Sequence, residues 1–258
     1  METVRSADGT SIAFERSGEG RRLVLVGGAF NDHSSARPLA EVLAPSFTVF
    51  AYDRRGRGSS GDTAPYAVAR EVEDLAALIA AAGGSTFVYG HSSGATLALE
   101  AAAAGIAIDK LAVYEPPYVV DDTRPPVPPD ALDRLRGLIA AGRRREAAEL
   151  FLIECVTAPP ATVEAMQQSP MWPSLQALAH TLPYDLAIVG TGDLAAERLA
   201  AIAVPTLVMD GGASPQWARN SVAAVAAAIP RATRRTLAGE THSVDPKRLQ
   251  PLLVEFFV

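Results

Sequence analysis

The sequence has a single cysteine, Cys155, so no intrachain disulfide can form. Cys155 follows the apolar run Leu150-Phe151-Leu152-Ile153, where a buried, inert thiol is expected rather than a nucleophile. Positive charge is not in surplus. Lys and Arg number 23 against 29 Asp and Glu, a net charge of −6, which argues against a nucleic-acid or anionic-membrane partner. The arginines that do cluster, Arg143-Arg144-Arg145 with Arg134 and Arg136 nearby, read as a solvated helix face. The longest apolar stretches, such as Leu75–Ala82, are far too short to span a membrane. Residues Met1–Ser6 carry no apolar leader, so a reduced, cytoplasmic setting is expected. No metal-ligand spacing is present, and no Gly-rich phosphate loop of the dinucleotide type follows the first buried strand. Neither metal nor cofactor is therefore expected. Oligomeric state is not legible.

At 258 residues and 48% hydrophobic, the chain can form one large α/β domain, or a core with an insertion. Turn signals at Asp8-Gly9 predict a hairpin running into Ser11–Arg16. Leu23–Val26, Phe47–Tyr52, Thr86–Tyr89 and Lys110–Tyr114 read as strands. Ser34–Leu43, Val68–Ala82 and Ser93–Ala104 read as helices between or after them. Strands spaced by helices predict a parallel sheet covered on both faces, with reactive groups at the carboxyl ends of its strands. The rhythm then breaks at Pro116-Pro117. Asp130 is a plausible N-cap for a helix over Ala131–Ala141, and Arg143–Val156 and Ser174–Thr181 are further helix candidates. It resumes with a strand over Pro205–Met209, a helix over Trp217–Ala228, a strand over Thr233–Leu237 and a helix from Pro246. The core is thus residues 1–116 and 204–258, with residues 117–203 a helical insertion over the strand ends.

Gly90-His91-Ser92-Ser93-Gly94 lies where the third parallel strand meets its helix. G-x-S-x-G at such a junction puts a serine oxygen on the tip of a sharp bend. Alone the pentapeptide recurs by chance; strand before and helix after give it meaning. A serine hydroxyl needs a base. Of four histidines, His242 follows the last strand, on the same sheet edge as Ser92. His91 is expected to face away from Ser92, His33 to be structural or pocket-lining, and His180 to be a residue of the insertion or of the pocket. Oxyanion donors are expected from the backbone of Ser93 and of the loop Gly27-Gly28-Ala29-Phe30, with Ala29 the better donor and Phe30 possible.

With Tyr52-Asp53-Arg54-Arg55-Gly56-Arg57-Gly58-Ser59-Ser60, the Val204–Val208 segment and the late His242, these motifs resemble the α/β-hydrolase fold over essentially the whole chain. The resemblance implies a mostly parallel eight-stranded sheet flanked by helices, with a helical cap inserted after strand six. It also implies a Ser-acid-His triad. Two departures stand out. Gly27-Gly28 replaces the usual His-Gly, and Ser214 holds the place of the usual acid after strand seven. Glu115, at the end of strand six, is the preferred replacement, because some haloalkane dehalogenases of this fold carry their acid there. Asp210 is the alternative.

The expected activity is cleavage of a carboxylic ester or thioester of a small to medium, mostly apolar molecule through a Ser92 acyl-enzyme. Acyl transfer, cofactor-free perhydrolysis and a non-catalytic ligand-binding homologue stand as alternatives. Pocket walls are expected from Phe30, Tyr118, Phe151, Met171, Trp172 and Tyr184.

Overall fold

Four consecutive wholly buried residues, Leu23–Val26, need cover on both faces of their strand, and the architecture supplies it. The protein is described over residues 1–258 by a computed structural model. Eight strands form one sheet: β1 (Glu2–Arg5), β2 (Ser11–Ser17), β3 (Arg21–Val26), β4 (Phe47–Tyr52), β5 (Thr86–His91), β6 (Ile108–Tyr114), β7 (Thr206–Gly211) and β8 (Ala232–Leu237). Their order is β1-β2-β4-β3-β5-β6-β7-β8. The β1–β2 and β2–β4 pairs are antiparallel, and every later pair is parallel. This is the expected mostly parallel sheet. Its last strand, β8, exposes Thr233–Thr236, including Arg234 and Arg235, and this charged edge discourages further strand addition.

Helices α1 (His33–Leu43), α2 (Val68–Ala81), α3 (Ser93–Ala103), α10 (Gln216–Ala228) and α11 (Pro246–Phe257) flank the sheet. One apolar cluster holds Val24, Val88, Leu97, Leu99, Val113 and Val222; the other holds Leu25, Phe87, Tyr89, Leu207, Leu253 and Phe257. Period-two alternation sends neighbouring residues of β3, such as Val24 and Leu25, into opposite layers.

Between β6 and β7 lie α4 (Ala131–Ala140), α5 (Arg144–Leu150), α6 (Pro160–Gln167), α7 (Trp172–Leu178), α8 (Leu182–Val189) and α9 (Ala196–Ala200). A π-helical turn, Phe151–Cys155, extends α5, and a 3₁₀ turn, Ala179–Thr181, joins α7 to α8. This segment has an apolar cluster of its own, including Leu135, Phe151, Trp172 and Leu182, against which Ala29 and Phe30 of the core pack. The sequence did not reveal α6, α8 and α9, whose prolines at the first turn or short lengths hide their periodicity. Asp130 does not cap α4. Its backbone is already helical, and its carboxylate lies 3.7 Å from Arg134 instead. The arginines 134, 136 and 143 are exposed and paired with nearby carboxylates. No helix is long and apolar enough to cross a membrane.

Candidate active site

The bend between β5 and α3 is built by close backbone approach. A Cβ on Gly90 would stand 2.6 Å from the Gly94 carbonyl oxygen, and one on Gly94 would overlap the Val26 and Gly27 carbonyls. Neither glycine needs a left-handed backbone. The strain falls on Ser92 itself, at φ 55° and ψ −125°. Gly28 answers the same crowding from the facing loop, since a Cβ there would come within 2.9 Å of Ser92 Cβ. The glycine pair at positions 27 and 28 thus lets the β3 loop lie against the serine.

Ser92, His242 and Glu115 all line one cavity of about 750 Å³ between the sheet edge and the inserted helices. All four non-glycine residues with positive φ, namely Phe30, Ser92, Glu115 and Thr157, line it too, so the backbone strain of the whole chain is concentrated here. The Ser92 hydroxyl makes no hydrogen bond to protein; such contacts commonly tighten only around substrate. His242 is half-exposed, and Tyr114 Oη donates to the Thr241 carbonyl at 2.7 Å to hold its loop. The His91 ring lies edge-on to that of His242, 4.7 Å between centroids, and stacks on Tyr114. Burial, with the His242 ring beside it, pushes His91 down to about 3, so it stays neutral.

Glu115 follows β6, where its N–H donates to the Met209 carbonyl at 3.0 Å. One carboxylate oxygen lies 2.7 Å from His242 Nδ1. The other accepts from Gly211 N at 2.9 Å and from Ser214 Oγ at 2.5 Å. Burial raises a carboxyl's pKa, but the bonds from His242, Ser214 and Gly211 outweigh it and hold Glu115 below the ordinary glutamate value. Ser214, the departure noted after strand seven, therefore donates to the Glu115 carboxylate. Asp210 is brought nowhere near His242. It is fully buried against β8, accepting from Arg234 at 2.8 Å and Thr236 at 2.7 Å.

The backbone N–H groups of Ala29, Phe30 and Ser93 have no acceptor within the protein, and all three residues line the cavity. Arg57 Nη1 donates to the Gly28 carbonyl at 2.5 Å, and Arg54 Nη1 to that of Gly27 at 3.2 Å. A trans peptide points its N–H opposite its C=O, so anchoring the Gly28 carbonyl turns the Ala29 N–H the other way. These two arginines are buried and bound to Asp185 of α8: Arg54 at 2.7 Å, Arg57 by two bonds at 2.7 and 2.8 Å. Glu71 completes Arg54 at 2.7 and 2.8 Å, and Ser93 Oγ donates to Asp185 at 2.7 Å. Burial disfavours the Asp185 charge, but Arg57 and Arg54 hold it below the usual carboxylate range. Sequence reasoning missed Asp185. Its signal was a lone acid in the apolar helix Leu182–Val189.

Asp53 accepts from His33 Nδ1 and N, each at 2.8 Å, and from Ser59 N at 2.8 Å, which makes His33 a structural residue. His180 reaches from the insertion to the Gly56 carbonyl at 2.7 Å. Phe30 and Phe151 line the cavity, edge to face at 5.7 Å. Tyr118 and Trp172 do not. Tyr118 is drawn into the sheet-side cluster with Leu97 and Leu99, and Trp172 fills the inserted segment's own core, because large rings beside an unfilled apolar interior bury there first. Met171 is exposed, and Tyr184 stacks on Tyr66 with 3.9 Å between centroids. Trp217 is an aromatic wall the sequence did not mark. Cys155 is buried, and burial pushes its thiol up to about 11, as expected for an unreactive cysteine.

A family profile described as the alpha/beta hydrolase family matches residues 23–249. An α/β hydrolase of known structure from Sphaerobacter thermophilus is 59% identical, with TM-score 0.96 and 100% of both chains covered. A hydrolase from Pseudomonas aeruginosa is 25% identical, with TM-score 0.79 over 99% of this chain and 97% of that one. A curated relative, N-formylmaleamate deformylase of Pseudomonas putida, is 35% identical over 117 residues, 43% of this chain and 44% of that protein, so the likeness spans less than half of its length. Sheet order, serine bend and profile agree: the chain belongs to the alpha/beta hydrolase family.

Proposed function

We propose that the protein is a serine hydrolase that cleaves a carboxylic ester or thioester through an acyl-enzyme on Ser92. The observation that carries this reading is the hydrogen-bonded His242–Glu115 couple, 2.7 Å apart, lining the same cavity as the strained Ser92. Ionised Glu115 accepts a hydrogen bond from the Nδ1–H of His242, and this tautomer leaves Nε2 unprotonated to receive the Ser92 proton. Ser92 Oγ attacks the acyl carbon. The N–H groups of Ala29 and Ser93 stabilise the tetrahedral oxygen anion. His242 returns the proton to the leaving group. Water, activated by the same imidazole, then releases the acid. The His242 side chain is 47% exposed, so water reaches the base; this favours hydrolysis over acyl transfer or perhydrolysis. The bond from Ser214 to Glu115 weakens the case for a non-catalytic homologue. The inserted helices would act as the cap that shapes the acyl pocket.

A fluorophosphonate probe should label the folded protein and fail to label Ser92→Ala, and p-nitrophenyl ester turnover should vanish in the same variant. Equal labelling of both proteins would remove Ser92 as nucleophile. The deformylase resemblance adds amides to the compounds worth assaying.

A further inference from the structure

We propose that the substrate of this site carries a carboxylate, and that Arg124 is its counter-charge. The inference rests on the reading of Ser92 as nucleophile and adds a substrate class to it. Arg124, in the segment between β6 and α4, is 4% exposed and lines the same cavity as Ser92 and His242. Its guanidinium lies 4.3 Å from the Trp217 ring centroid. Nη1 donates to the Pro117 carbonyl at 2.9 Å and Nη2 to that of Cys155, while buried Nε has no acceptor. No carboxylate pairs with it. The other cavity arginine, Arg54, is matched by Glu71 and Asp185.

The acids of the cavity are all occupied elsewhere. Asp32 caps α1, Glu115 holds His242, and Asp185 holds Arg54, Arg57 and Ser93. A buried cation is normally paired, because desolvation otherwise disfavours its charge. Here burial pushes Arg124 down to about 10, which still leaves it charged at neutral pH. Bridging two carbonyls requires only a neutral donor. A full charge with donors to spare, at the wall of a reaction cavity, is suited to an anion, and the planar fork suits a carboxylate best. Leu152, Val156 and Trp217 line the cavity as well. The ligand this favours is an acyl group with an apolar stem ending in a carboxylate.

The test compares mono-p-nitrophenyl esters of adipic, pimelic and suberic acids with p-nitrophenyl hexanoate, heptanoate and octanoate. Shorter diacids are avoided because their own carboxylate attacks the ester. In the wild type the best carboxylate ester should exceed its neutral counterpart in kcat/KM by about tenfold to a hundredfold, the usual range for a hydrogen bond to a charged group. The advantage should disappear in Arg124→Met and return only in part in Arg124→Lys, mainly through KM. Inhibition of wild-type neutral-ester turnover by the free diacids, but not by their dimethyl esters, reads the same contact without any variant. Ser92-dependent turnover with no carboxylate preference and no diacid inhibition would overturn the proposal. Turnover that survives Ser92→Ala would instead overturn the nucleophile, and calorimetric binding of the diacids to Ser92→Ala and to Arg124→Met would then decide the role of Arg124.

Discussion

Single residues set the chemistry of this site, and Glu115 is the most informative of them. Its carboxylate is held by three donors, and its φ of 46° lies in the left-handed region that non-glycine residues rarely adopt. Glu115→Gln should lower kcat by about three to four orders of magnitude, because the amide loses the charge that stabilises the imidazolium. Asp210→Asn should leave kcat within a few-fold. Ser214→Ala removes one bond to a charged acceptor and should cost about tenfold or somewhat more. Steady-state kinetics on the three variants ranks them, and a larger loss from Asp210 than from Glu115 would reverse the assignment. His91 gives a pH signature. Its value near 3 lies far below the ordinary 6.5, so between these limits the unfolded chain binds a proton that the folded chain refuses. The contribution of a neutral His91 to stability is complete above about pH 6.5 and is lost as pH falls toward 3. Replacing His91 by Phe should flatten the acid slope of ΔG by up to about 1.4 kcal/mol per pH unit, read from urea unfolding at successive pH values.

At the scale of elements, α8 matters more than its eight residues suggest. It brings Asp185 under the β4–α2 turn, where one carboxylate joins Arg54, Arg57 and Ser93. Arg57 in turn fixes the Gly28 carbonyl, so a residue of the insertion orients a peptide of the loop after β3. Asp185→Asn keeps the shape but strips the charge that matches two buried guanidinium groups. Breaking a buried pair in this way costs about 3–5 kcal/mol. Chemical denaturation should report that loss, and kcat should fall with it as the Ala29 N–H loses its fixed direction. The π-helical turn after α5 ends at Cys155, whose carbonyl accepts from Arg124.

For the molecule as a whole, these bonds tie the inserted helices to the sheet through buried charge rather than apolar contact alone. Ala29 and Phe30 also pack into the apolar cluster of the insertion. The chain should therefore unfold as one unit. Scanning calorimetry should show a single transition whose calorimetric and van't Hoff enthalpies agree, and Asp185→Asn should broaden or split it. Two well-separated transitions in the wild type would mean that the insertion is stable independently.

Local sequence was sufficient for most strands of the sheet, for the glycine-bounded serine bend and for the place of His242 after the last strand. Buried β-strands, glycine-limited turns and amphipathic helices are dictated by neighbours along the chain, so Leu23–Val26, Gly90–Gly94 and Ala131–Ala140 could be read without coordinates. The sequence favoured Glu115 over Asp210 only through the resemblance, because both lie at a strand end on the same sheet edge. Only the pairing of β6 with β7 and β7 with β8 turned one carboxylate toward His242 and the other toward Arg234 and Thr236. The same holds for Asp185, for the unpaired Arg124, and for Tyr118 and Trp172 leaving the cavity wall. Each depends on contacts between segments distant in the chain, and such contacts are decided by how the insertion packs on the core rather than by any local pattern of residues.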